Sequence, residues 1–375
     1  MGRESVILCA DESTGSLAAA RGLHAAGFRV HVTVSRDDTF VARSRAAASV
    51  VRVPDAKEAP SDFVGALAAA AQSLGAAAVL PATEGTLLAL TGREASFACI
   101  VGTGPAGALE RAMDKQLLAR LAVEAGLHAL DTVDAREGRT TFPAVLKPAA
   151  TVSVAADGSM RTRNVIHVRD ATELEQVLAT LPADERWLLQ PYVRGMLTAV
   201  CGVVWQRRVI CMLHQVSPRI WPPERGISSF AVTVPPDRER EEQVGRLLEA
   251  VGWSGIFGLQ SILADGRAYA IDLNPRVYGS LALAISAGHN LPAIWADLLL
   301  GREPNVGPYR VGAAYRVEED HVRWLAQQLR RGDVHGALGG MLPRRGTTHG
   351  AFALRDPLPV TVTLRKAGAR LFRGS

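Results

Sequence analysis

Lysine is almost missing from this chain. Of 42 basic residues only Lys57, Lys115, Lys147 and Lys366 are lysine, and the other 38 (42 − 4) are arginine. A planar guanidinium does not replace a compact ammonium. A lysine kept in such a background marks a place where a point charge is wanted, and Lys115 and Lys147 are followed below. Cysteine is also scarce: Cys9, Cys99, Cys201 and Cys211 show no CxxC spacing. That excludes a disulfide scaffold and a zinc site, and it suits a reduced, cytoplasmic protein. The turn after the first strand, Ser13-Thr14-Gly15-Ser16, is not GxGxxG, so a nicotinamide-dinucleotide dehydrogenase is not expected. No apolar stretch approaches the roughly 18 residues of a membrane span. The short run Val6–Ala10 stops at Asp11-Glu12 and is not a signal peptide. The basic excess is only 42 − 37 = 5 charges, without a basic block, so neither nucleic acid nor a membrane is expected as a partner.

What is present is an ordinary globular chain of 375 residues, 48% apolar and 21% charged, long enough for two or three domains. Short apolar runs at 5–10, 28–34, 49–53 and 77–80 read as strands. A helix closed by Gly27 and another over 61–74, capped by Ser61, alternate with them. That order predicts a parallel sheet with helices on both faces. Asp114 caps a helix that ends at Gly126, and residues 142–147 form a strand. Asp170 and Glu173 open a further helix. Strands are expected at 187–190 and 198–205, and a helix follows Pro235-Pro236. The alternating runs 256–263 and 267–273 flank Asp265-Gly266, a hairpin turn signal. Later residues show one helix at 319–330 and an extended stretch around 359–364.

The hairpin carries the chemistry. Gln260 lies twelve residues before Asp272 (272 − 260), so the two face each other across paired strands, with Asn274 beside them. An all-oxygen set with one carboxylate suits Mg²⁺, which keeps waters and completes its shell with substrate phosphates. Arg276 follows, placed to clamp a phosphoryl oxygen.

Four segments then occur in a telling order. Phe142-Pro143-Ala144-Val145-Leu146-Lys147-Pro148 resembles the FPvvlKP strand of ATP-grasp enzymes, and Asp114-Lys115 the start of their first nucleotide-binding helix. Leu188 to Gly195 resembles their hinge, and Asp272-Leu273-Asn274-Pro275-Arg276 their EiNPR metal motif. The layout matches from about residue 5 to 300 and looks closest to carboxylate–amine ligases related to the carbamoyl-phosphate synthetase large subunit. The resemblance implies an α/β fold in four parts. A Rossmann-like pre-ATP-grasp domain would span 1–112. A small ATP-grasp lobe would span 113–186, a large lobe with the Mg²⁺ site 187–305, and a C-terminal extension 306–375.

It further implies that ATP is held by Lys115, Lys147, Gln190, Pro191, Tyr192, Val193 and Leu197. One or two Mg²⁺ ions, or Mn²⁺, would sit on Gln260, Asp272 and Asn274. Arg276 would stabilise the transferring phosphoryl group. The expected substrates are a small-molecule carboxylate and an amine, joined through an acyl phosphate; a homodimer is left open. Three positions differ from the family pattern: Leu197 stands where a ribose-binding glutamate is common, Asp272 where glutamate is usual, and only Gly158 represents the glycine-rich loop. These differences leave a non-catalytic, regulatory ATP-binding protein as the alternative.

Other candidates come from the residues themselves. Ser13-Thr14-Gly15-Ser16 opens a helix and could hold an anion or be a plain turn. Glu84 follows a parallel strand at its carboxyl end, where ligands bind in open α/β sheets. Arg219 and Arg225, with Gly226 and Ser228, suit an acyl phosphate or carboxylate in the substrate loop. His214 and His289 stand alone and read as structural.

Overall fold

The computed structural model describes residues 4–10, 12–36, 39–154, 160–223, 226–335, 346–363 and 365. The chain begins as a parallel sheet. β1 (Ser5–Cys9), β2 (Arg29–Val34), β3 (Ala47–Arg52), β4 (Ala78–Pro81) and β5 (Ile100–Val101) lie in the order β3-β2-β1-β4-β5. α1 (Thr14–Ala25), α2 (Pro60–Leu74) and α3 (Glu84–Leu90) connect them. Val6, Ile7 and Leu8 are buried on both faces, as a sheet covered by helices requires. α2 starts one residue before the expected Ser61, which caps nothing. Pro60 takes the first helical position, where its missing N–H costs no bond, and Gly75 closes the helix with φ 58°.

α4 (Ala108–Met113) and α5 (Lys115–Glu124) lead into the second unit. Asp114 caps α5 by accepting from the amides of Gln116 and Leu117, each at 2.9 Å. β6 (His128–Ala129), β7 (Val133–Asp134), β8 (Ala144–Pro148), β9 (Val152–Val154), β10 (Met160–Thr162), β11 (Ile166–Val168), α6 (Ala171–Thr180) and β12 (Trp187–Pro191) follow. Four strands, ordered β11-β8-β12-β7, form the small lobe, while β9 and β10 pair as a separate ribbon.

The large lobe is built on β13 (Met196–Trp205), β14 (Arg208–Trp221), β15 (Ile227–Val234), α7 (Arg238–Val251), β16 (Gly255–Ala264) and β17 (Arg267–Asn274). α8 (Leu281–Ser286), α9 (Leu291–Leu299), β18 (Ala314–Arg316), α10 (Glu318–Arg330) and β19 (Thr348–His349) complete it. Its sheet runs β19-β18-β15-β14-β13-β16-β17-β6. The expected extension is therefore not an appendage, because β18 and β19 add to the large-lobe sheet. β6, from the small-lobe segment, closes the opposite edge. The β16–β17 turn has Asp265 at φ 48° and Gly266 at φ 74°, the positive pair that a two-residue hairpin needs.

Residues 358–363 are helical rather than extended. The alternating Val360, Thr361 and Val362 read as a strand, but Pro359 fits the first turn of a helix. Just before them, Asp356 ties this region to the first domain. Its buried carboxylate accepts from Ser44 Oγ (2.6 Å), the Arg45 amide (2.9 Å) and Arg21 Nε (2.9 Å).

Candidate active site

A cleft of about 600 Å³ lies between the small-lobe sheet and the large-lobe sheet. β8 and β12 supply one wall and β13, β16 and β17 the other. Lys147 projects from β8 just before Pro148, and Lys115 is the first residue of α5. Both are buried, at 5% and 7% exposure. Lys147 Nζ donates to the carbonyl of Ile271 at 3.1 Å, and Lys115 Nζ donates to Thr151 Oγ1 at 2.6 Å. Lys115 Nζ is 3.8 Å from Asp272 Oδ1. Burial, then the neighbouring Lys115 charge, pull the Lys147 ammonium down to about 8, while Asp272 opposes them. Two buried ammoniums facing one carboxylate leave a net positive site. A polyanion entering the cleft would satisfy it.

The strand register brings the metal candidates together. Gln260 pairs with Asp272 and Gly258 with Asn274, with no irregularity between them, so the three side chains share one face. The bulge lies on the other side, between Gln260 and Ser261. Gln260 and Asp272 line the cleft. Asn274 Nδ2 approaches the Gly258 carbonyl at 3.5 Å, leaving its oxygen for another partner. One carboxylate and two amide oxygens beside a polyphosphate-sized cleft fit Mg²⁺ with water and phosphate completing its shell. No group of three or more His, Cys, Asp or Glu residues able to hold a metal occurs among the described residues.

The hinge follows from β12. Pro191 pairs with Ala144 at the strand end, and the next amide, Tyr192, donates to the Pro143 carbonyl at 2.9 Å. The Tyr192 ring meets His167 edge-on at 5.3 Å. Pro191, Tyr192 and Val193 line the cleft beside Val145, Leu197, Ile220 and Ile262, which form an apolar slot. Gln190 also lines it, but its buried amide donates to Thr132 Oγ1 at 2.5 Å.

Arg276 and Glu84, expected in separate roles, meet each other. Arg276 Nη2 and Nε lie 3.2 and 3.3 Å from Glu84 Oε1, and Nη1 donates to the Val277 carbonyl at 2.9 Å. Glu84 opens α3 and is buried. The first domain therefore grips Arg276, two residues beyond the end of β17.

Arg219 lies outside the cleft. Its neighbour Ile220 takes the cleft side, and the Arg219 guanidinium sits over Phe230 (4.7 Å) and Trp324 (4.3 Å), with Nη1 2.9 Å from His321 Nδ1. Burial and the Arg219 and Arg316 charges hold His321 neutral, near 4. Ser228 accepts from Ser217 Oγ at 2.8 Å. Arg225 lies outside the described residues. Gly226 lines the cleft, and a Cβ there would fall 1.9 Å from the Trp221 carbonyl carbon, so no larger residue fits.

The Ser13–Ser16 turn packs against backbone carbonyls of the large lobe. Thr14 donates to the Gly279 carbonyl at 2.8 Å, and a Cβ on Gly15 would lie 2.4 Å from the Tyr278 oxygen. His214 and His289 have internal partners, Glu241 at 3.3 Å and the Gly307 carbonyl at 2.9 Å. Two groups escaped the sequence reading. Thr151 orients Lys115 and carries no motif. Lys57 touches the β9–β10 ribbon, donating to Thr162 Oγ1 at 3.1 Å, and lysine scarcity was the signal for it.

Residues 184–321 match a family model described as "ATP-grasp in the biosynthetic pathway with Ter operon". Solved structures share the fold across most of the chain. One is the L-amino acid ligase of Bacillus licheniformis (TM-score 0.58, 16% identity, 79% of this chain and 74% of that one). Another is the ADP complex of PurK, N5-carboxyaminoimidazole ribonucleotide synthetase (TM-score 0.64, 14% identity, 88% and 85%). A third is biotin carboxylase from Campylobacter jejuni with β-γ-ATP (TM-score 0.61, 15% identity, 83% and 74%). No curated protein matches the chain in sequence. No helix of the described residues is long and apolar enough to cross a membrane.

Proposed function

We propose, from the premise that this chain is an ATP-grasp protein, that it is an ATP-dependent carboxylate–amine ligase. The observation that carries this reading is the pair of buried ammoniums, Lys115 and Lys147, facing the Asp272 carboxylate across the cleft. ATP enters with its adenine in the apolar slot against the hinge and its phosphates toward the two lysines. A substrate carboxylate attacks the γ-phosphorus, the bond to the bridging β,γ-oxygen breaks, and ADP leaves. An amine then attacks the acyl carbon, loses a proton and expels phosphate, forming an amide. Gln260, Asp272 and Asn274 would hold Mg²⁺, which would supply charge neutralisation at the phosphates. In this reading Lys115 and Lys147 hold the phosphoryl group in line, and Arg276, whose guanidinium pairs with Glu84 and the Val277 carbonyl, is the cation assigned to the acyl phosphate. No protein nucleophile is needed, because positioning and charge neutralisation carry phosphoryl transfer. The substrates are small molecules, and the cytoplasm, where ATP is available and the four free cysteines stay reduced, is the compartment this reading requires.

The test is ADP release from carboxylates and amino acids supplied in pairs, with the wild type beside Asp272→Asn at saturating Mg²⁺. The expected result is turnover with some pair and a loss of orders of magnitude in the variant. Wild-type turnover in Asp272→Asn would overturn the metal site. ATP binding without turnover of any pair would favour a regulatory ATP-binding protein instead.

A further inference from the structure

Gln190 is only 4% exposed, yet its amide oxygen has no hydrogen-bond donor among the described residues. Strand geometry says where that side chain stands. β12 pairs with β8, with Gln190 opposite Val145 and Leu188 opposite Lys147. Residues two apart on a strand share a face, so Gln190 stands on the cleft face with Val145 and Lys147. Leu146 and Leu189, on the other face, enter the small-lobe core. Along its second edge β12 pairs with β7, with Leu188 opposite Asp134 and Leu189 opposite Val133. One more step of that register sets Thr132 opposite Gln190.

The hydrogen bonds fix which way the amide points. Thr132 Oγ1 carries one proton and donates it to the Leu130 carbonyl at 2.9 Å. Toward Gln190 that oxygen can then only accept, so its partner at 2.5 Å is the amide nitrogen, Nε2. A turned amide would set two acceptors against each other, or draw the Thr132 proton away from Leu130. Gln190 Oε1 is thereby kept as the free end of a residue that lines the cleft. Thr132 lines a separate groove beside α5 rather than the cleft.

An acceptor held in this way distinguishes purines. Adenine offers protons from its 6-amino group, whereas guanine and hypoxanthine present an oxygen at that position. An oxygen against Oε1 leaves two buried acceptors with no proton between them. Sites that hydrogen-bond one group reject a partner lacking it far more strongly than apolar pockets reject a change of size.

We propose that Thr132 is a positioning residue that sets base choice, by holding the Gln190 amide so that a 6-amino purine finds a partner and a 6-oxo purine does not. This rests on the ATP reading of the cleft, with the base against the hinge. The test is calorimetric titration of the full chain with ADP and with inosine diphosphate, each with Mg²⁺. Inosine diphosphate carries a 6-oxo group where ADP carries the amine. The wild type binds ADP about tenfold or more tightly than inosine diphosphate. Thr132→Val keeps the shape and removes the hydroxyl, which frees the amide to turn its nitrogen toward the base. ADP binding then weakens, inosine diphosphate binding strengthens, and the preference shrinks by about fivefold or more. Thr132→Ala, a second variant without the hydroxyl, does the same, while Thr132→Ser keeps the wild-type preference. The opposite movement of the two affinities separates this role from a structural one, which would weaken both alike. If the wild type binds neither nucleotide, the ATP reading falls and this proposal with it. If it binds both equally, the proposal falls while the ATP reading stands. An unchanged preference in Thr132→Val and Thr132→Ala, or equal weakening of both nucleotides, would leave Thr132 a structural residue only.

Discussion

Replacing Lys147 with methionine should make the empty protein more stable and should shrink that advantage when nucleotide is bound. Burial, reinforced by Lys115, draws the Lys147 ammonium from 10.5 to about 8 in the folded chain. At 1.36 kcal/mol for each tenfold change, holding that charge costs the fold roughly 3 kcal/mol at neutral pH. Methionine keeps the apolar stem and removes the charge, but it also loses the hydrogen bond to the Ile271 carbonyl, worth about 1 kcal/mol. The net expectation is a gain of about 2 kcal/mol at pH 7. The sign with pH follows from linkage. Between about 8 and 10.5 the unfolded chain holds a proton on Lys147 that the folded chain has released, so wild-type stability rises with pH across that window. The advantage of Lys147→Met therefore fades over the same window. On the proposed reading Lys147 holds a phosphate, so Mg-ATP at a hundred times the wild-type dissociation constant should stabilise the wild type by about 2.7 kcal/mol and the variant by less, narrowing the gap and reversing it once the variant's affinity falls by roughly fiftyfold. Urea unfolding of both proteins at pH 7 and pH 10, with and without nucleotide, measures each part. A variant less stable than wild type at pH 7 without nucleotide, or an advantage unchanged at pH 10, would refute the reasoning.

Glu84→Gln weakens the grip on Arg276, so ADP release should fall at least tenfold while ATP affinity, read by calorimetry, stays within twofold. Gly15→Ala drives a Cβ to 2.4 Å from the Tyr278 oxygen and should destabilise the chain by about 1–3 kcal/mol, measured by denaturant unfolding. Asp356→Ala leaves Arg21 and Ser44 without their shared buried acceptor, and a cost of about 3–5 kcal/mol is expected at pH 7. Burial opposes ionisation of Asp356, but bonds from Ser44, Arg45 and Arg21 outweigh it and hold the carboxyl below 3.8. That contribution is therefore present above pH 3.8 and lost as acid titrates the folded state, so the two proteins should converge in acid.

The parallel sheet and the β16–β17 hairpin were legible because their signals are local. Alternating strands and helices announce the first, and Asp265-Gly266 with two alternating runs announces the second. Pairing Gln260 with Asp272 followed from strand geometry alone. Arg219 was misplaced because a strand sends neighbours to opposite faces, and nothing local says which of Arg219 and Ile220 faces the cleft. The Glu84–Arg276 pair joins positions 192 apart, and the Lys57–Thr162 contact joins positions 105 apart. Such partnerships are set by how lobes dock, which composition and periodicity do not encode. The extension was read as separate for the same reason: β18 and β19 are too short to declare their sheet.

The Asp356 anchor bears on how the molecule is made. Its partner Arg45 lies 311 positions earlier, so Arg45 leaves the ribosome long before the acceptor is translated. At roughly 5–20 residues per second, that interval is about 15–60 s. Throughout it the loop before β3 and the face of α1 that carries Arg21 lack their anchor. Tyr315, which donates to the Gly279 carbonyl and to Thr14, arrives almost as late. The domain synthesised first is thus among the last to be completed, and a nascent chain stalled before residue 356 would present that domain to chaperones and proteases in an unfinished state.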